Sequence, residues 1–253
     1  MELQSRQEMV LELVQLRGEV SVAELSERAG VTPMTIRRDL ETLEREGAVQ
    51  RVHGGAIIAA ERGYSTPYSV RAQRNTEAKE RIGEAAAALL QEREAVIIDV
   101  GTTPLQVARA LCGRRNLTVA TPSLHVANLL ADNRGIRLIV TGGMVDAGEL
   151  SMVGDFAEEI FSRLRCDTFV MGVGGIDVEA GCTEASLEDT GVKRAALACA
   201  RRCIVVADST KLGRVSLAQV CPIDRVDVLV TDSAVSERDL SRLVAEHMEV
   251  VVV

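Results

Sequence analysis

From Ala95 onward the chain repeats one unit: a short run that is apolar at nearly every position, followed by an amphipathic stretch of helical period. A strand with one wet face alternates polar and apolar residues, so an unbroken apolar run marks a strand covered on both faces. Such runs occupy 95–100, 117–120, 136–140, 168–173, 203–207, 228–230 and 250–253. Strands that alternate with helices long enough to cross back over a sheet constrain this region to an α/β fold, a mostly parallel sheet with helices on both faces.

Residues 1–60 follow a different pattern. Met9, Val10, Leu13, Val14 and Leu16 recur at helical spacing and predict a helix over 5–17, with Gly18 as its stop. Ser21 and Glu24 stand as a capping box at the head of a second helix, 22–29, which Gly30 ends in the left-handed conformation. Thr32 offers an N-cap oxygen and Pro33 fits the first position of a third helix, 33–46, stopped by Gly47. That helix turns Ile36, Leu40 and Leu43 to one side, with Thr35, Arg37, Arg38, Glu41 and Arg45 on its other faces. Two short apolar runs about Gly54-Gly55 then signal a hairpin. Three helices and a hairpin make a winged helix-turn-helix. A stretch without periodicity, with Gly63 and Pro67, separates it from the rest, so the expected organisation is 1–59, a linker 60–72, and a second domain 73–253 opening with a long helix over 72–91. The length of 253 residues suits one to two domains.

A major-groove reader needs short polar groups and arginines near the N-terminal end of one helix, because base edges there accept hydrogen bonds from Arg, Thr, Ser or Asn. Thr32, Thr35, Arg37 and Arg38, with Arg45 further along, fit that need, and Arg51, His53, Gly54 and Gly55 on the hairpin suit phosphate or minor-groove contact. The formal charge of −8 argues the other way, as do seven arginines against ten acids up to Ile57. Four of those seven arginines nevertheless fall at positions 37, 38, 45 and 51, on the elements expected to dock. The alternative is a solvated helix whose Arg37 and Arg38 pair with Asp39, Glu41 or Glu44.

The second domain carries a candidate anion site. Asp99-Val100-Gly101-Thr102-Thr103-Pro104 lies at the carboxyl end of a predicted strand and opens a helix. Backbone N–H groups there carry partial positive charge, glycine admits a phosphate, and two threonine hydroxyls add donors. Ligands of parallel sheets sit outside the strand carboxyl ends. The loops at Thr121, at Gly142-Gly143, at Gly174-Gly175 with Asp177, and at Asp208 with Lys211 are therefore candidates, although glycines and aspartates also make plain turns. Lysine is scarce, only Lys79, Lys193 and Lys211, and the last two stand where an ammonium could meet a phosphate or merely the solvent. No apolar run is long enough for a membrane span and the N-terminus lacks a signal-peptide core, which places the protein in the cytoplasm with no membrane partner. Six cysteines without metal spacing read as small buried hydrophobes, and neither metal nor cofactor is expected.

The segment 6–56, with SVAELSERAGVTPMTIRRDLETLEREG and RVHGGA, resembles the N-terminal domain of the DeoR family of bacterial repressors. The resemblance continues through Arg71, Asn75, Glu77, Lys79, IIDVGTTP, VANLL, TGG, GGID and ADSTKLGR to Asp232, and GTTP and GGID are worded most like the family's glycerol-3-phosphate repressor branch. It implies that Thr35, Arg37 and Arg38 read or clamp double-stranded operator DNA. It also implies that the second domain, in a fold resembling ribose-5-phosphate isomerase, senses a phosphorylated sugar or polyol, with Lys193 and Lys211 matching the family's pattern. A homo-oligomeric repressor, dimer or tetramer, of a carbohydrate or polyol operon is the expected function, and not an enzyme. The alternative is an isomerase-like enzyme joined to a DNA-binding module, with Asp177, Glu184 or Glu188 as its carboxylate base. The chain departs from the family's wording at Pro122, and Gly191 interrupts a helical pattern.

Overall fold

A computed structural model describes residues 3–17, 19–45, 49–52, 54–58, 68–244 and 248–253. It divides into two compact units, Met1–Gln73 and Arg74–Val253.

The first unit contains α1 (Leu3–Arg17), β1 (Glu19–Ser21), α2 (Val22–Ala29), α3 (Pro33–Arg45), β2 (Val49–Val52), β3 (Gly55–Ile58) and α4 (Tyr68–Gln73). Val10 and Val14 of α1, Leu25 of α2 and Ile36, Leu40 and Leu43 of α3 meet in one buried core, as the helical spacing requires. Ser21 caps α2 by accepting from the Glu24 N–H at 3.1 Å. The Glu24 carboxylate, expected to close the box, instead pairs with Arg17 and Arg28. Gly30 adopts φ +64° at the end of α2. The expected helix stops at Gly18 and Gly47 lie outside the described residues.

One strand of this unit has no sequence signal. The three residues of β1 pair antiparallel with β3, turning the expected hairpin into a sheet of order β1-β3-β2. Gly55 serves that pairing: a Cβ there would lie 2.4 Å from the Val20 carbonyl oxygen. Its small size is required inside the fold, whatever approaches from outside.

The second unit begins with α5 (Thr76–Ala88) and continues through β4 (Ala95–Ile98), α6 (Thr102–Ala110), β5 (Leu117–Thr121), α7 (Leu124–Leu130), β6 (Ile136–Val140), β7 (Met144–Asp146) and β8 (Ser151–Val153). Then follow α8 (Asp155–Ser162), β9 (Cys166–Met171), β10 (Gly175–Asp177), β11 (Gly181–Glu184), α9 (Leu187–Cys199), β12 (Ala200–Val206), β13 (Ala218–Cys221), β14 (Val228–Thr231), α10 (Glu237–Val244) and β15 (Glu249–Val252). The seven apolar runs form one parallel sheet of order β15-β14-β12-β9-β4-β5-β6. Its two faces carry separate cores, since successive side chains point to opposite sides. Val96 and Ile98 pack with Ile82 of α5, Val107 of α6, Leu111 just after it and Leu130 of α7, whereas Ile97 packs with Phe161, Val192 and Ala196 of α8 and α9.

The long helix expected over 72–91 is two helices. Asn75 between them adopts φ +52°, and its side-chain amide donates to Asp208 at 3.3 Å. Asparagine tolerates the left-handed region better than other non-glycine residues, so apolar periodicity on either side concealed the break. The stretches 144–153 and 175–221 also add small antiparallel sheets, β7-β8 and β10-β11-β13, whose three- and four-residue strands are too short to show a period. Gly191, inside α9, leaves room for the Glu158 carboxylate of α8, which lies 2.3 Å from where a Cβ would stand. Five cysteines are buried as expected, but Cys112 is exposed, because Leu111 takes the buried position past the end of α6. Among the described residues no helix is long and apolar enough to cross a membrane.

Candidate functional site

In the first unit the charge pattern of α3 is settled by partners distant in sequence. Asp39 is 3% exposed and takes two hydrogen bonds from the Arg6 guanidinium, at 2.6 and 3.0 Å. Glu41 pairs with Arg51 at 3.0 Å, and Glu44 accepts from the Arg51 backbone N–H at 2.9 Å. All three acids that could have neutralised Arg37 and Arg38 are thus held by other arginines. Arg37 and Arg38 are exposed, and among the described residues no ion pair engages either.

Thr32 accepts from the Thr35 N–H at 3.3 Å and the two hydroxyls lie 3.0 Å apart, so this pair caps the helix while remaining at its open end. Met34, 57% exposed, precedes both arginines by about one turn; a lone apolar residue on a polar face was its only signal in the sequence. Arg51, expected as a phosphate contact, is bound to Glu41 and fastens β2 onto α3. Gly54 makes the wing turn with φ +84° and its carbonyl accepts from Val22 at 2.8 Å. His53 and the Arg45 side chain lie outside the described residues.

In the second unit the strand order decides where a ligand can sit. The chain enters at β4, builds β5 and β6 to one side, then returns to β9 on the other. The crevice at such a reversal opens outside the carboxyl ends of the two central strands. Asp99 and Gly101 lie there at the end of β4, and Gly172 at the end of β9. Gly101, φ +117°, turns the chain into α6, whose first turn holds the buried Thr102 and Thr103. Their N–H groups belong to the helix start that has no intrahelical acceptor.

Lys193 reaches this point from α9. Its ammonium, 2% exposed, bonds the Asp99 carboxylate, donates to the Gly172 carbonyl at 2.9 Å, and lies 3.5 Å from Glu184. Burial lowers its pKa, but the charges of Asp99 and Glu184 outweigh that and raise it. Burial pushes the Asp99 carboxyl upward, opposed by the charge of Lys193 and by the Gly172 N–H donating at 2.9 Å. Asp189, also raised chiefly by burial, accepts from the Ser151 hydroxyl at 2.9 Å. The result is a buried, hydrogen-bonded floor beneath the α6 N-terminus. Lys193 is therefore a member of that floor rather than an open phosphate clamp. Asp189 and Ser151 were not among the expected binding residues and nothing in their local sequence sets them apart, whereas Glu184 was weighed as a base for the isomerase alternative.

The remaining candidates divide by position. Asp208 and Lys211 follow β12, beside β9, where Asp208 caps a short turn by accepting from Thr210 N–H at 3.1 Å. Thr121 is fully buried and donates to the Ile98 carbonyl at 2.7 Å, tying β5 to β4 rather than facing a ligand. Gly142 and Gly143 lie at the edge strand β6, where Gly143 permits close passage of the Val153 carbonyl, 2.7 Å from its absent Cβ. Gly174 and Gly175 form no open cradle: a Cβ at Gly175 would be 2.2 Å from the Arg214 carbonyl oxygen, and one at Gly174 2.9 Å from Ser216. Asp177 closes the β10–β11 turn by accepting from Glu179 and Ala180 N–H groups at 2.9 and 3.0 Å.

Residues 74–233 match the family model of the DeoR C-terminal sensor domain, and residues 6–62 that of the DeoR-like helix-turn-helix domain. The chain is 33% identical over 240 residues to the glycerol-3-phosphate regulon repressor of Escherichia coli K12, covering 95% of each protein. It is 32% identical over 232 residues to the HTH-type transcriptional regulator GolR of Listeria innocua, covering 92% of this chain and 91% of that protein. A ribose 5-phosphate isomerase A from Methanocaldococcus jannaschii is similar with a TM-score of 0.41 and 14% identity over 55% of each chain. With both halves matched and relatives aligned along nearly the full length, the chain belongs to the DeoR family of transcriptional regulators.

Proposed function

We propose that this protein represses transcription by gripping operator DNA through α3, and that a phosphorylated sugar or polyol bound outside β4 and β9 loosens the grip. The observation that carries this reading is the exposure of Arg37 and Arg38 on a helix whose acids are all engaged elsewhere. In this reading Thr35, Arg37, Arg38 and Met34 meet base edges, with the Met34 side chain suited to a thymine methyl. Arg45, Arg51, His53, Gly54 and Gly55 adjoin the backbone, and Arg51 exchanges its carboxylates for phosphate. The effector's phosphate takes the N–H groups of Gly101, Thr102 and Thr103, while Asp208 and Lys211 lie toward its other end.

Release is linkage: an effector that prefers the arrangement unfit for DNA weakens the complex by that preference, about 1–3 kcal/mol, and DNA weakens effector binding equally. A homodimer or tetramer would present recognition helices about one helical turn apart on paired half-sites. The protein acts in the cytoplasm and performs no chemistry in this scheme. As an isomerase base, Asp177 is tied into a turn, Glu188 is exposed beside Ser186, and Glu184 faces Lys193.

The test is fluorescence anisotropy with a duplex from the protein's own promoter region. Arg37→Ala and Arg38→Ala should each weaken binding by about 1–3 kcal/mol if they read bases. Glycerol 3-phosphate and a panel of pentose and hexose phosphates should include at least one compound that releases the wild-type complex. Unchanged affinity in both variants, or turnover of a sugar phosphate, would overturn the reading.

A further inference from the structure

Cys166 begins β9 and Cys199 ends α9, one residue before Ala200, which pairs with Cys166 across the parallel strands. Cys199 therefore stands next to the residue directly opposite Cys166. Both side chains belong to the same buried core, and Cys199 Sγ lies 3.3 Å from the Ala196 carbonyl. They are 5% and 8% exposed, at the amino-terminal end of the strand whose other end holds Gly172. A second pair, Cys182 opposite Cys221 in β11 and β13, is sealed deeper, at 0% and 4%.

We propose that Cys166 and Cys199 form a dithiol modification site, oxidised to an intramolecular disulfide by peroxides. Cys199 is the nucleophile: it lies at the end of α9 and is the more exposed of the two, and its proximity to Cys166 holds its pKa below the ordinary thiol value although burial opposes this. The Cys199 thiolate attacks one oxygen of the peroxide, breaks the O–O bond and becomes a sulfenic acid, while the departing oxygen takes a proton and leaves as water or an alcohol. Cys166 then attacks that sulfur. The S–S bond forms, and the sulfenic hydroxyl leaves as water with the Cys166 proton. Two thiols lose two electrons and the peroxide gains them. Opposed positions on neighbouring strands have the Cα separations that disulfides span, and Cys199 is one residue removed from such a position. This site lies apart from the Asp99–Lys193 floor and is independent of the function proposed above.

The experiment treats the full-length protein with a small molar excess of hydrogen peroxide, alkylates remaining thiols and maps the digest by mass spectrometry. The expected product joins the peptides of Cys166 and Cys199 with the loss of two hydrogens, and dithiothreitol reverses it. Cys166→Ser should stop at a Cys199 sulfenic acid trapped by dimedone, and Cys199→Ser should give no crosslink at Cys166. Mapping of the wild-type protein decides the matter even where a variant fails to fold. Alkylation of both Cys166 and Cys199 under conditions that oxidise the exposed Cys112, or a crosslink at Cys182 and Cys221 in their place, would overturn the assignment.

Discussion

Replacing Lys193 by methionine removes the one cation of the buried floor and keeps most of the side chain's volume. Asp99, with 2% of its side chain exposed, then retains the Gly172 N–H as a side-chain partner but loses its ion pair, while Glu184 and Asp189 remain nearby as like charges. Breaking one side of a buried pair costs about 3–5 kcal/mol, because the surviving charge stays desolvated. For a unit spanning residues 74–253, where each kcal/mol shifts the midpoint by about 2–4 °C, melting should fall by about 6–20 °C. Asp99 escapes the penalty only by taking up a proton. Its folded pKa then lies above the unfolded value near 3.9, so the folded state holds a proton that the unfolded state has released. Stability of Lys193→Met must consequently fall as pH rises from about 5 to 8, by up to about 1.4 kcal/mol per unit. In the ion-paired protein the Lys193 charge opposes the rise of the Asp99 pKa, so the same dependence is weaker there, and the raised Lys193 pKa places its own loss of stability at alkaline pH. Asp99→Asn added to Lys193→Met should recover most of the loss. Tyr64 and Tyr68 both fall within the first unit and the chain has no tryptophan, so calorimetry or far-ultraviolet circular dichroism is the suitable probe. An equal deficit at pH 5 and pH 8, or no recovery in the double variant, would refute the argument.

Two further outcomes follow from the geometry. Gly55→Ala places a methyl 2.4 Å from the Val20 carbonyl and should cost the first unit about 1–3 kcal/mol through separation of β1 from β3, measured by urea unfolding of the first unit followed by tyrosine fluorescence; an unchanged midpoint would show that the strands shift freely. The Asp177 carboxyl is held below its ordinary pKa, chiefly by the Ala180 N–H, so it contributes stability above about pH 4 that is lost as pH falls through its folded value. Asp177→Asn keeps the acceptor and should flatten the acid limb of stability measured between about pH 2.5 and 5; an unaltered limb would mean that the turn does not stabilise the charge.

The distinction between readable and unreadable features follows the range of the interactions. The helices of the first unit were legible because Ser21, Gly30, Thr32 and Pro33 act on neighbours within a turn, whereas β1 was not, because three residues carry no period and their partner lies at 55–57. The turn over 99–103 was legible as the link from strand to helix, because its residues are neighbours in sequence. Lys193 stands out by the scarcity of lysine, but its role is not readable locally, since it meets Asp99 across 94 positions of sequence. Gly174, Gly175 and Thr121 show the reverse failure: residue types suited to ligands turn out to serve close passage of Arg214 and a strand-to-strand hydrogen bond.

Apolar periodicity is enough to give the two architectures, since it fixes which faces must leave water, and residue types along one element mark the helix that carries Arg37 and Arg38. That neither arginine has an ion pair among the described residues follows from contacts between elements, the pairing of Asp39 with Arg6 and of Glu41 with Arg51. The assembled sheet likewise makes β4 and β9 the neighbours at which the strand order reverses. Periodicity is a property of one element, whereas strand order and charge pairing belong to elements brought together only when the whole chain has folded.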